Sequence, residues 1–140
     1  MSVSKELRLE RIYAMLKDSA VNDQDKSFEV PSDSYYIFKH LLVTYECDAT
    51  VGNRVLLMSV TDNDNVLKVR MPLSGNMAAS ETWYINGMPN TGWILNNSVY
   101  HYLAGLPEIV LHPHDVIRFW DVNTVGSGDD MTVFLQLRRL

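Results

Sequence analysis

Apolar positions recur with two different periods along this chain. Between residues 4 and 17, Leu9, Ile12, Tyr13 and Leu16, followed by Ala20, fall at i, i+3, i+4, i+7 and i+11, the spacing of one helical face. Lys5, Glu6, Arg8, Glu10, Arg11 and Lys17 take much of the remainder, and Ser4 is a suitable cap. The pattern predicts a short amphipathic helix whose stripe needs a partner surface to be stable. DSAVNDQDKS, residues 18–27, is polar and aperiodic, so residues 1–33 read as a helix and linker arm.

From about residue 34 the period becomes two. Val43, Tyr45 and Cys47 alternate with Thr44, Glu46 and Asp48; Leu56, Met58 and Val60 alternate with Leu57, Ser59 and Thr61; Leu67, Val69 and Met71 alternate with Lys68 and Arg70. Each reads as a strand with one face inward. DNDN, 62–65, joins two of them as a hairpin tip, because Asn and Asp tolerate positive φ. ETWYINGM (81–88), EIVLH (108–112), DVIRFWDV (115–122) and MTVFLQLRRL (131–140) continue the series. Residues 89–106 carry turn formers at both ends and mixed apolar content, and read as a long loop. The count is about seven or eight strands without intervening helices, which argues for an antiparallel sandwich or barrel. An all-β antiparallel jelly-roll sandwich over 34–140 fits best, the long loop serving as a Greek-key crossover.

Composition narrows the function classes. The chain has 140 residues, 46% hydrophobic and 21% charged, with a net charge of −5. That is one globular domain without the basic footprint of a direct nucleic-acid binder. No apolar run approaches the roughly 20 residues of a membrane helix, and the charged N-terminus lacks the apolar centre of a signal peptide. The single cysteine, Cys47, excludes an internal disulfide and suits synthesis in a reducing cytosol.

Candidate chemistry centres on His112-Pro113-His114-Asp115. Two histidines and an acid within four residues suggest zinc or iron, which would make the chain a cupin-type metalloenzyme. Such a site needs further ligands from other elements, and His40 and His101 lack any recognisable ligand spacing to this pair. Pro113 instead favours a strand corner, and the corner is the stronger reading. TDNDN lacks the glycine and distal glutamate of a calcium loop. Cys47 lies in an alternating strand and reads as packing. No nucleophile elbow, phosphate loop or H-E-x-x-H is present, so no enzyme, cofactor or metal site is expected.

Aromatic residues offer binding surfaces instead. Trp83, Tyr84 and Trp93 could stack on a sugar, as in a carbohydrate-binding or fibre-type module. Trp93, Tyr100 and Tyr102, in the long loop, suit a protein interface, where Trp and Tyr are enriched. The helix stripe, Leu9, Ile12, Tyr13 and Leu16, is the second candidate interface.

Three stretches carry a resemblance. TYECDATVGNRVLLMSVTDNDNVL has a strand, a short turn and a second strand ending in D-N-D-N; LPEIVLHPHDVIRF places Asp115 at the start of a strand; DVNTVGSGDDMTVFLQLRRL closes on D-D-M-x-V-x-L. Together, over residues 35–140, they resemble small virion proteins of tailed bacteriophages, jelly-roll decoration or cement proteins of the capsid. The resemblance implies a non-enzymatic structural protein on the virion surface, a homo-oligomer bound to the major capsid protein of a phage head at seams between subunits. It also implies that Arg54 pairs with a nearby acid. At the HPHD corner, His114 stands where such proteins often have glycine.

Overall fold

A computed structural model describes residues 12–20, 25–90, 94–96, 100–123 and 128–140. Its ten strands are β1 (Tyr13–Asp18), β2 (Asp25–Glu29), β3 (Tyr36–Glu46), β4 (Leu56–Thr61), β5 (Leu67–Pro72), β6 (Thr82–Pro89), β7 (Ile94–Asn96), β8 (His101–Leu106), β9 (Val116–Asp121) and β10 (Asp130–Arg139). They form a six-stranded sheet, β1-β10-β3-β6-β8-β7, and a four-stranded sheet, β2-β9-β4-β5. Pairing is nested: β1 with β10, β2 with β9, β3 with β6, β4 with β5, all antiparallel. Successive nested pairs alternate between the two sheets, as when one long hairpin is rolled up, so the fold is a jelly-roll sandwich. β7 and β8 are an insertion that widens the larger sheet. β8 runs parallel to β6, and β7 antiparallel to β8.

Alternation decides what each strand buries. Phe38, Leu41, Val43 and Tyr45 of β3 face inward with Met131, Val133, Leu135 and Leu137 of β10 and Trp83 and Ile85 of β6. Leu56, Met58, Val60, Ile117 and Phe119 oppose them from the smaller sheet. The widened part of the large sheet has no fifth strand opposite it. Tyr102, Ala104 and Leu106 of β8 are nevertheless buried, with Leu73, Met77 and Leu111 from loops in the same core cluster. Tyr102 donates its hydroxyl to the carbonyl of Asn76 at 3.3 Å.

The expected N-terminal helix is corrected. Residues 1–11, including Leu9, lie outside the described residues, and Tyr13–Asp18 form edge strand β1, hydrogen-bonded along β10. The stretch that carries the helical stripe also alternates at other positions: Ala14 and Leu16 pack against the core, while Met15 and Lys17 are exposed. A short isolated helix satisfies its backbone but buries little, whereas the edge of β10 offers both hydrogen bonds and an apolar face. Residues 25–29, expected in the arm, are the edge strand of the other sheet. Lys26 faces inward, 3% exposed, and donates to Asp18 Oδ1 at 3.1 Å and to the Ala20 carbonyl at 2.9 Å. This contact joins the two edge strands across the mouth of the sandwich. The Lys26 hydrogen bond holds the Asp18 carboxyl below its usual pKa.

A strand and a helix make different demands on neighbouring residues. Leu16→Asp is expected to lower the unfolding free energy by about 2 kcal/mol, and Met15→Asp by less than about 0.5 kcal/mol. Denaturant melts of both variants check this, and equal effects would speak against β1.

Candidate docking face and the corners that hold it

The HPHD segment is the corner before β9, and its centre is Asp115 rather than the histidines. Asp115, 2% exposed, accepts from the His112 backbone N–H at 2.9 Å and from Lys68 Nζ at 2.6 Å. Its own N–H donates to the His112 carbonyl, closing the turn. The two imidazoles diverge. His112 Nδ1 lies 2.9 Å from Lys68 Nζ, with its ring edge-on to Tyr35, and His114 Nδ1 contacts Glu29 Oε1 on β2. An ammonium beside His112 repels a divalent cation. Among the described residues, no three His, Cys, Asp or Glu side chains gather where one ion could reach them. His114 has φ 70, the left-handed region that favours glycine, so a glycine would fit this corner without strain. DNDN forms the β4–β5 turn: Asp62 Oδ1 accepts from the backbone N–H groups of Asp64 and Val66, both at 2.9 Å.

The acid for Arg54 is Asp129. Arg54 is completely buried. Its Nε donates to Asp129 Oδ2 at 3.0 Å and its Nη2 to Asp129 Oδ1 at 3.2 Å, while Nη2 also reaches Asp48 Oδ1 at 2.7 Å and Nη1 the Gly52 carbonyl at 2.8 Å. Asp129 further accepts from the Tyr45 hydroxyl and from the Asp48 backbone N–H. These bonds to Asp129 raise the guanidinium pKa. The Thr50 backbone N–H is the main cause that lowers the Asp48 carboxyl pKa, aided by Gly128 N–H and Arg54. Nearby Cys47 is buried, and burial pushes its thiol pKa up to about 12. That fits a packing residue, not a nucleophile.

The sandwich's two outer faces differ. On the smaller sheet, Arg70 and Arg118 lie over the Trp120 ring at 5.5 and 4.5 Å, and Arg118 forms a two-bond pair with Asp25. Charged side chains cover that face. On the larger sheet, register aligns Lys17, Phe134, Leu42, Asn86 and Leu103 in one outward row, and Thr132, Thr44, Tyr84 and His101 in the next. These two central rows contain no carboxylate, and Lys17 on the edge strand is their only lysine or arginine. Leu42, Tyr84 and Met88 are each more than a third exposed, Met15 about half, and Tyr84 stacks on His101 at 5.1 Å. The two rows thus form a band of mixed apolar and polar side chains across the sheet, bordered by Asp130, Glu46 and Thr82 in the adjoining outward row.

The sequence-predicted interface residues are dispersed. Leu9 and Trp93 lie outside the described residues. Ile12 and Tyr13 sit at the start of β1, Ile12 exposed and Tyr13 half-buried, whereas Leu16 turns inward. Tyr100 is exposed. Tyr102 is 2% exposed and stacks on Trp83 at 4.2 Å, so it belongs to the core. Trp83 and Tyr84 occupy opposite faces of β6 and cannot form one sugar platform. Leu42, Phe134, Met15 and Leu103 were missed. The available signal was the outward half of each alternation: strands that place leucine and phenylalanine where polar residues are expected.

No protein-family model matches the sequence, and no curated protein does. Among solved structures, the chain is similar to a chain in the structure of infectious bursal disease virus Gx strain, with 8% identity and a TM-score of 0.46, covering 91% of this chain and 32% of that one. A chain of the T13 IBDV viral particle gives 9% identity and a TM-score of 0.33, covering 91% and 36%. This chain therefore spans about a third of the length of either. The nested strand pairing, not this likeness, defines the jelly roll.

Two measurements test these corners. Arg54→Ala, which strands the buried Asp129 carboxylate, is expected to destabilise the protein by about 4 kcal/mol in urea melts; a loss below about 1 kcal/mol would remove the network's structural role. Cys47 is expected to stay unmodified by a thiol reagent at pH 8 in the native protein and to react fully once denatured.

Proposed function

We propose that this chain is a non-enzymatic structural protein of a virion that docks through the outer face of its six-stranded sheet on a capsid shell and reinforces it. The observation that carries the reading is that face: two central rows without a carboxylate, in which Phe134, Leu42, Leu103 and Tyr84 face outward and Lys17 stands only at the edge, on a sandwich whose opposite face carries Arg70 and Arg118. A solvent-facing sheet would alternate toward charge. Leu42, Phe134, Leu103 and Tyr84 do not. The resemblance of residues 35–140 to tailed-phage decoration or cement proteins supplies the partner, the major capsid protein of a phage head, and a position at seams between its subunits. A shell presents many equivalent sites, so modest contacts become strong when homo-oligomeric copies bind several at once. Reinforcement then comes from added buried area across the seam, which must be broken before subunits part. Tyr100 and the Ile12–Tyr13 end of β1 would extend the contact; Leu16 and Tyr102 serve the core.

Sedimentation with purified capsids tests this. The native protein is expected to co-sediment and to raise the temperature at which capsids open. Leu42→Asp should weaken binding at least about tenfold, because it places an unpaired charge in the contact, while Ser27→Glu on the opposite face should leave it unchanged. Absence of both co-sedimentation and stabilisation would overturn the proposal, as would equal binding by the two variants.

A further inference from the structure

A second feature of the large sheet is a notch where β6 leaves β3. The two strands pair from Glu46↔Thr82 to Leu41↔Gly87. Beyond Gly87, β6 continues beside β8, while β3 runs on alone on that side to Tyr36. There Tyr36 exchanges two backbone hydrogen bonds with Leu111, at 3.0 and 2.7 Å. Between these two fixed points lies a cleft of about 380 Å³, lined by Ile37–Lys39, Pro89, Asn90, Pro107–Val110 and Arg138. That volume falls in the range of small-ligand sites, about 300–1,000 Å³.

Two details give the cleft a chemistry. β3 carries a bulge there: His40 opposes Gln136 and Phe38 opposes Leu137, leaving Lys39 without a partner in β10. A bulge re-aims the extra residue, and Lys39 lines the cleft together with Arg138. Three other surface cations are engaged: Arg118 by Asp25, Arg139 by Asp33, Lys68 by Asp115. By contrast, neither Lys39 nor Arg138 makes an ion pair or a side-chain hydrogen bond among the described residues. Ile37, Pro107, Ile109 and Val110 supply apolar walls, and among the described residues Glu108 is the only acid lining the cleft.

The geometry points to this notch as a binding site for a compact organic anion, a carboxylate held by Lys39 and Arg138 on a short apolar body that rests against Ile37, Ile109 and Val110. The closed ends select against a strand running through the notch, since the Leu41–Gly87 pair and the Tyr36–Leu111 bridge block both exits. What fits is a small molecule or the last residue of a peptide, which share the chemistry of one carboxylate beside a branched or linear alkyl group. Glu108 at the wall favours a singly charged ligand over a dianion. The inference stands on the notch alone and does not depend on docking to a shell.

Amide-resolved NMR on the full chain separates the possibilities, with hexanoate and N-acetyl-leucine as probes and uncharged hexanamide as control. Saturable shifts are expected at the Ile37, Lys39, Ile109 and Val110 amides with at least one acid. Binding should weaken about fivefold or more for hexanamide and for Lys39→Ala, the value of one exposed charge pair, and recover in Lys39→Arg. Hexanoate alone would identify a fatty-acid-like ligand; N-acetyl-leucine alone, a chain terminus. Lys39 is exposed, so its variants are expected to stay folded, which the rest of the spectrum reports. The site is refuted by no saturation with either acid at tens of millimolar, by shifts outside the notch, or by affinity equal to the native protein's in Lys39→Ala or Arg138→Ala.

Discussion

The guanidinium of Arg54 sits at zero exposure with Asp129, Asp48 and a carbonyl filling its donors. Taking a cation out of water costs several kcal/mol, so the site persists only because nearly every donor is answered in good geometry. Its importance is topological. Asp129 is the residue before β10, and β10 lies between β1 and β3 in the large sheet. Holding Asp129 to Arg54, Tyr45 and Asp48 fixes where β10 begins opposite β3, at Asp130↔Glu46. A slip of one residue would turn Val133, Leu135 and Leu137 outward and Phe134 inward. The buried ion pair therefore sets which side chains form the core and which form the outer rows.

Alternation along the chain was enough to read β3, β4, β5, β9 and β10; β9, β10 and most of β3 bury one alternating set, whereas β4 is buried on both faces and β5, at the sheet edge, has Val69 and Met71 only half-buried. It was not enough for β1. Ile12, Tyr13 and Leu16 satisfy a helical period, while Ala14 and Leu16 against Met15 and Lys17 satisfy an alternating one over the same short span, and the choice is made by the free edge of β10, which the sequence of β1 does not contain. The 89–106 segment failed for another reason. HYLAGL does alternate, with Tyr102, Ala104 and Leu106 inward, but histidine and glycine in its outward positions weaken the contrast. The same two-residue period, applied to Trp83 and Tyr84, separates them onto opposite faces without any structure. The notch beside Lys39 was beyond reach, since it arises from where β6 parts from β3 and not from any local pattern.

The insertion of β7 and β8 explains why the two faces of this sandwich differ. A four-on-four jelly roll presents two outer sheets of similar width. Here one sheet has six strands, and loops rather than a strand close the core beneath the addition, where Tyr102 reaches Asn76. Widening adds Leu103 and His101 to the ends of the two central rows, lengthening an apolar surface that already held Phe134, Leu42 and Tyr84. The narrower sheet keeps Trp120 shielded by Arg70 and Arg118, so its aromatic ring is covered by the chain itself.

That difference constrains how the protein can associate. Covering the central rows with a second copy face to face would occupy the surface proposed to meet a shell, whereas contacts through strand edges or corners leave it free. The edges are not equivalent. β1 carries Lys17 outward and ends in Asp18, bound to Lys26, a charged border that discourages another strand from pairing there. β7 is three residues long, too short to template much of a ladder. A homo-oligomer that keeps the proposed docking face open is therefore better built through loops and corners than by extending the larger sheet, and its copies would present their central rows side by side to one repeating surface.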